Sequence, residues 1–194
     1  MPILGWLLRQ FCDGLPIQGA FSDLRRLRPP PRSLSERISR SVELYPCDVL
    51  FIHRDAEGAS LDERLAEIEE SVKEARVAQK PVVCVIPVRM TEAWLLIDEA
   101  ALRRAAGNPN GKQPLNLPSV ARLEGLSDPK RVLYGLLRQA SGLHGRRLKS
   151  LNRKLSGHRV ADFIRDFRPL YRLTAFQRLA AAVARTAQER GWSH

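Results

Sequence analysis

The sequence predicts an α/β fold: a mainly parallel sheet flanked by helices, followed by a helical, basic C-terminal part. Three observations predict it. Residues 49–52 (Val-Leu-Phe-Ile) and 82–86 (Val-Val-Cys-Val-Ile) are short continuous apolar runs, the pattern of strands buried on both faces of a parallel sheet. Between them Leu61, Leu65, Ile68, Val72 and Ala75 recur at helical spacing, so the stretch reads as a strand–helix–strand crossover, right-handed by the usual rule. Charge then changes sign along the chain. Residues 1–100 hold 13 Lys or Arg against 16 Asp or Glu, and the remaining 94 hold 19 against 5, for a net charge of +11. An acidic half joined to a strongly basic half suits a protein that both holds cations and meets a polyanion. An arginine-rich genome is the plainer explanation of the total, though less so of the split.

In chain order, residues 3–11 read as a short apolar helix and 17–21 as a strand. Pro29-Pro30-Pro31 is a rigid extended connection that no helix crosses. A helix over 33–44 follows, with Ser33 and Glu36 spaced as a capping box. The two strands span 48–53 and 81–87, and Ser60 with Glu63 opens the helix between them. Thr91 caps a further helix running to Gly107. Asp128-Pro129 starts another, which Gly142 ends. A last amphipathic helix covers 174–190, with Phe176, Leu179 and Val183 inward. This divides the chain into an α/β core over 1–107 and a helical basic extension over 108–194, with one continuous domain as the alternative.

The 194 residues, 44% apolar and 27% charged, are long enough to bury a core without staples. No run of 18 apolar residues is present, which excludes a transmembrane helix as partner of a membrane. The opening residues lack the basic start and cleavage site of a signal peptide. Cys12, Cys47 and Cys84 fit neither a zinc spacing nor an even disulfide framework, and so suggest a reducing, cytoplasmic setting.

Ligands of open α/β sheets bind beyond the carboxyl ends of the strands. The first strand ends in His53-Arg54-Asp55-Ala56-Glu57-Gly58. If the chain stays extended, Asp55 and Glu57 share a face, a pair suited to magnesium (or manganese) with waters and substrate phosphate completing the shell. A plain acidic turn is the alternative. The second strand ends near Arg89 and Glu92, where Glu92 equally suits the positive end of a helix dipole. Trp94 reads as a core anchor. Arg146, Arg147, Lys149, Arg153, Lys154 and Arg159 fall in a stretch without an acid and suit sequence-independent contact with nucleic-acid phosphates, DNA or RNA. A solvated loop, or pairing with the acidic helix 62–74, is the alternative. No aromatics interleave these cations, which disfavours a stacking platform for single strands.

These motifs, in order Asp55-x-Glu57, Arg89, Glu92-Ala93-Trp94, Asp98 and Asp128-Pro129-Lys130, resemble an uncharacterised bacterial Toprim-like family over roughly residues 45–140. The pattern is distantly similar to the Toprim domains of overcoming-lysogenization-defect type nucleases. The resemblance implies a compact parallel sheet and magnesium-dependent phosphodiester chemistry, or a relic of it, in a setting such as phage defence. It implies Asp55, Glu57 and Glu92 as metal ligands, with Glu92 alternatively orienting water, and Arg89 as the group that stabilises phosphate charge. The family's first strand, ending in a glutamate, has no counterpart here: Met1 to Trp6 resembles the helix after it. That departure favours a second expectation, a non-catalytic nucleic-acid-binding module, or one that engages a protein partner or a second copy through an exposed sheet edge.

Overall fold

The computed structural model describes residues 2–12, 14–77 and 79–193. Helix α1 (Pro2–Phe11) opens with proline at its first position, where the missing N–H would have no helical acceptor. Ile3 and Leu7, one turn apart, form its buried face. The strand expected over 17–21 is absent: the segment is irregular, and Phe21 is 82% exposed. Strand propensity is expressed only against a paired neighbour and a packing face, and among the described residues nothing pairs with it.

Helix α2 (Leu34–Leu44) begins at Ser33, whose hydroxyl accepts the Glu36 N–H at 3.0 Å. The Glu36 carboxylate reaches back to the N–H of Arg32 at 2.6 Å rather than to that of Ser33, so half of the predicted capping box forms. Strand β1 (Leu50–His53), helix α3 (Leu61–Glu74) and strand β2 (Val82–Val85) follow. The capping box at α3 is complete: Ser60 accepts from Glu63 N at 3.1 Å, and Glu63 accepts from Ser60 N at 2.7 Å.

β1 and β2 pair in parallel, in the register Leu50–Val82 to His53–Val85. The α/β class with a parallel sheet is thus present in a small form, two strands among the described residues, with helices dominating. Both strands are shorter than the sequence suggests, but the ladder outruns them. Leu50 N donates to Pro81 O, Arg54 N to Val85 O and Ala56 N to Pro87 O, at 2.9, 3.1 and 2.9 Å. Prolines at 81 and 87 serve as acceptors only, so they border β2 without removing a bond from it. Both sheet faces are covered, as the apolar runs require. Val83 and Val85 face a large cluster with α1 and the C-terminal helices, while Ile52 and Ile86 pack with Ile38 of α2 and Ile68 of α3. Val82, Cys84 and Ile86 also line a groove between α3 and the last helix.

The single helix expected over 91–107 is split. A 3-10 turn (Thr91–Leu95) precedes α4 (Glu99–Ala105), and the true cap is Asp98, which accepts the Ala101 N–H at 2.9 Å. Thr91 caps nothing, because its hydroxyl is engaged across the sheet end. The break lets Trp94 drop into the core at 1% exposure, with its ring 5.6 Å from Phe176 in an edge-on contact. Gly107, at φ +78°, ends α4 with bonds from Gly107 N to Arg104 O and Asn108 N to Arg103 O, the left-handed stop that glycine permits.

Helix α5 (Pro129–Ser141) is capped by Asp128 and stopped at Gly142, as the sequence indicates. Short helices α6 (Gly145–Lys149) and α7 (Arg153–Phe163) precede α8 (Thr174–Glu189), whose Phe176, Leu179 and Val183 are buried. One buried cluster draws from both sides of Gly107, including Trp94, Leu102, Leu137, Phe167 and Phe176. Helix α8 has no cap of its own. Glu124, fifty residues earlier, accepts the N–H groups of Thr174 and Ala175 at 3.2 and 2.8 Å. That carboxylate satisfies two orphan donors and offsets the positive end of the helix. Glu124→Ala is expected to lower stability by about 1 kcal/mol in urea unfolding. Glu43→Ala, which removes an exposed ion pair on α2, should change it by less than about 0.5 kcal/mol. Equal effects would refute the capping role.

Candidate functional site

The parallel register places both strand carboxyl ends together, and the Ala56–Pro87 hydrogen bond keeps the two following loops side by side. Three polar side chains meet there. His53 Nε2 lies 2.7 Å from Thr91 Oγ1 and 3.2 Å from Asp55 Oδ1. Strand alternation explains the first half of this: His53 and Asp55, two residues apart, point to the same side. Thr91 arrives from the other loop because the 3-10 turn begins there. The Asp55 side chain is one-quarter exposed, but its Oδ1 is buried and makes no hydrogen bond, since the 3.2 Å approach of His53 lacks bonding geometry.

Behind this end lies an ionic buttress. Glu67 of α3 receives Arg54 Nη2 on Oε1 at 2.6 Å and Arg64 Nη1 on Oε2. Arg64 Nη2 also donates to Ala56 O at 3.1 Å, tying the loop to the helix. The Nε atoms of both arginines are buried and unpaired.

The extended geometry that would put Asp55 and Glu57 on one face does not persist. The chain turns at 56–59, with Glu57 at φ +51°, Gly58 at φ +104°, and Ala59 N bonded to Ala56 O at 3.0 Å. Glu57 is exposed on that turn, whereas Asp55 faces His53. Glu92 is half-buried and adjoins Thr91, at the same sheet end as Asp55, and Arg89 is exposed on the loop leading to it. Asp98 and Asp128 are committed to helix caps. Among the described residues, no three His, Cys, Asp or Glu side chains gather into a metal-holding group. The orphaned Asp55 Oδ1 does fit one hydrated magnesium ion, which needs as few as one carboxylate from the protein. The three cysteines are free. Burial, and secondarily Glu69, pushes the Cys84 thiol up to about 11, which leaves it an inert packing group.

Arg146, Arg147 and Lys149 are exposed, and no described residue forms an ion pair with them. Arg159 is exposed and lies over the Phe163 ring at 5.4 Å. The side chains of Arg153 and Lys154 lie outside the described residues. Pairing with the acidic helix, the alternative use of these cations, is taken up by other residues: Arg178 binds Asp62, Arg54 and Arg64 bind Glu67, and Lys73 binds Glu70. Sequence reading passed over His53, Thr91 and the Glu67 buttress. The i, i+2 spacing of His53 and Asp55 was the available signal for the first, while the others depend on contacts between distant segments.

No family model matches this chain, and no curated protein or solved structure matches it either.

Glu67→Gln should cost on the order of 1 kcal/mol, since the pairs are partly exposed but two guanidinium groups lose their shared charge. The urea midpoint measures this, and an unchanged midpoint would show the buttress to be energetically idle.

Proposed function

We propose that this chain is a nucleic-acid-binding protein that grips the phosphate backbone with its 146–159 segment. The observation that carries the reading is that Arg146, Arg147 and Lys149 are exposed cations with no ion-pair partner among the described residues, while Asp62, Glu67 and Glu70 of α3 pair with other cations. Unmatched cations in one stretch repel one another, and a polyanion relieves that repulsion while releasing its own counterions. The ligand is read by charge and not by sequence. The motif order Asp55-x-Glu57, Arg89, Glu92-Ala93-Trp94, Asp98, Asp128-Pro129-Lys130 supports a Toprim-like core beneath it. In fluorescence anisotropy with a labelled oligonucleotide, binding should weaken steeply with salt. Arg146→Ala, Arg147→Ala and Lys149→Ala together should lower the log–log salt slope by about 2–3, at roughly 0.7–0.9 per phosphate contact. An unchanged slope and affinity would remove this segment from the interface.

A second reading is magnesium-dependent cleavage of the bound phosphodiester. The buried, unbonded Asp55 Oδ1 at the carboxyl end of the sheet favours it. Asp55 would hold the ion, with Glu92 at the same sheet end as a further ligand, waters and substrate phosphate completing the shell. When bound, the ion supplies charge neutralisation at the phosphate. Thr91 fixes the His53 ring beside Asp55, and Arg89 would stabilise phosphate charge. Asp55→Asn should abolish magnesium- or manganese-dependent cleavage while oligonucleotide affinity in EDTA stays as in the wild type. Equal cleavage by both proteins would reject the metal role, and no cleavage by either, with binding intact, would leave the non-catalytic module.

A further inference from the structure

We infer that the outward face of α5 is a second phosphate seat of the same nucleic-acid interface, built by Lys130, Arg131 and Arg138 around Gly135; the inference rests on the nucleic-acid reading above. A shallow groove of about 490 Å³ lies on this face, lined by Asp128, Lys130, Arg131, Tyr134, Gly135 and Arg138. Arg131, Gly135 and Arg138 follow one another at spacings of four and three, so they share a helix face. The two arginines stand about 10 Å apart along the axis at 1.5 Å per residue. Lys130, Arg131 and Arg138 are exposed, and no described residue forms an ion pair with them. The one acid in the groove, Asp128, is occupied as the helix cap, with Oδ1 accepting the Arg131 N–H at 2.8 Å.

Gly135 is the independent observation. A glycine inside a helix destabilises it relative to alanine, so its presence asks for a reason. The fold supplies none. Gly135 does not have a positive φ, and a Cβ built there would have nothing within 4 Å. The space is open on the solvent side, on the helix face that Arg131 and Arg138 share, and the absence of a side chain there would let a phosphate approach the helix. The seat also adjoins the proposed grip. A Cβ at Gly157 of α7 would lie 3.5 Å from Tyr134 Cε1, so α7 runs directly beside this groove. From 129 to 161 the sequence holds no acid at all, so α5, α6 and the first nine residues of α7 form one cationic stretch.

The test uses the full chain and a labelled 20-nucleotide DNA in anisotropy titrations from low to moderate salt. The variant Lys130→Ala, Arg131→Ala, Arg138→Ala should bind at least about tenfold more weakly, with a log–log salt slope lower by about 2. Gly135→Glu should weaken binding comparably by filling and charging the seat. Arg40→Ala, which removes a cation on the distant α2, should bind as the wild type. Gly135→Ala should raise Tm by about 2–4 °C, and a lowered Tm would mean that the fold itself needs the glycine, which overturns the argument from open space. Loss of binding in the α6 variants with wild-type binding in the α5 variants would overturn the second seat and leave the first standing. Failure of the wild type to bind any oligonucleotide would overturn both. Amide hydrogen exchange separates the two sources of phosphate. Protection of α5 by the oligonucleotide, and not by inorganic phosphate at equal phosphate concentration, is expected; equal protection would assign a small-anion site and overturn the nucleic-acid assignment.

Discussion

The candidate site hangs on the parallel register of β1 and β2. Parallel pairing is what brings the ends of both strands, and so His53 and Thr91, to one place; antiparallel strands would send them to opposite ends of the sheet. The register is held by burial as much as by hydrogen bonds. A one-residue slip of β2 would turn Val83 and Val85 out of the large cluster and toward α2 and α3. It would also break the Ala56–Pro87 bond that keeps the two loops adjacent. A two-stranded parallel sheet is weak alone. Its stability comes from the helices over both faces, and Trp94, packed edge-on against Phe176, ties the loop after β2 to α8 at the far end of the chain.

What was legible in the sequence follows from how local its causes are. The α3 capping box, the Asp128-Pro129 start and the glycine stops at 107 and 142 are set by residues within five positions of each other, and they form as read. The strand expected at 17–21 failed because a strand needs a neighbour, which no local pattern specifies. The helix expected over 91–107 broke because two local options competed. Thr91 could cap, but so could Asp98, and His53 offered the Thr91 hydroxyl a partner 38 residues away. The cap on α8 came from Glu124, which no window around Thr174 contains.

The site divided along the same line. Asp55 was identifiable because it follows a buried strand, but its pairing with Glu57 assumed that extended geometry continued past His53. The turn at 56–59 ended that, with Glu57 itself taking a left-handed conformation. The consequence is chemical. A carboxylate on a turn tip is hydrated and mobile, while Asp55 keeps one oxygen buried with no bonding partner, so the two acids differ in what they can offer a cation.

Charge links the two halves of the molecule. Three acids of α3 have individual partners: Glu67 takes Arg54, just past β1, and Arg64, Asp62 takes Arg178 of α8, and Glu70 takes Lys73. None of these pairs involves the cations of α5 and α6. A chain selected only for folding would intersperse acids among them, because exposed opposite charges at i, i+4 each add a little stability and like charges subtract it. Residues 129–161 contain nine Lys or Arg and no acid, so no acid within the stretch offsets their mutual repulsion. A neutral glycine facing outward in the middle of α5 adds a second local cost. In the proposed reading, a negatively charged ligand offsets both costs on this surface from outside, since neither contributes to packing.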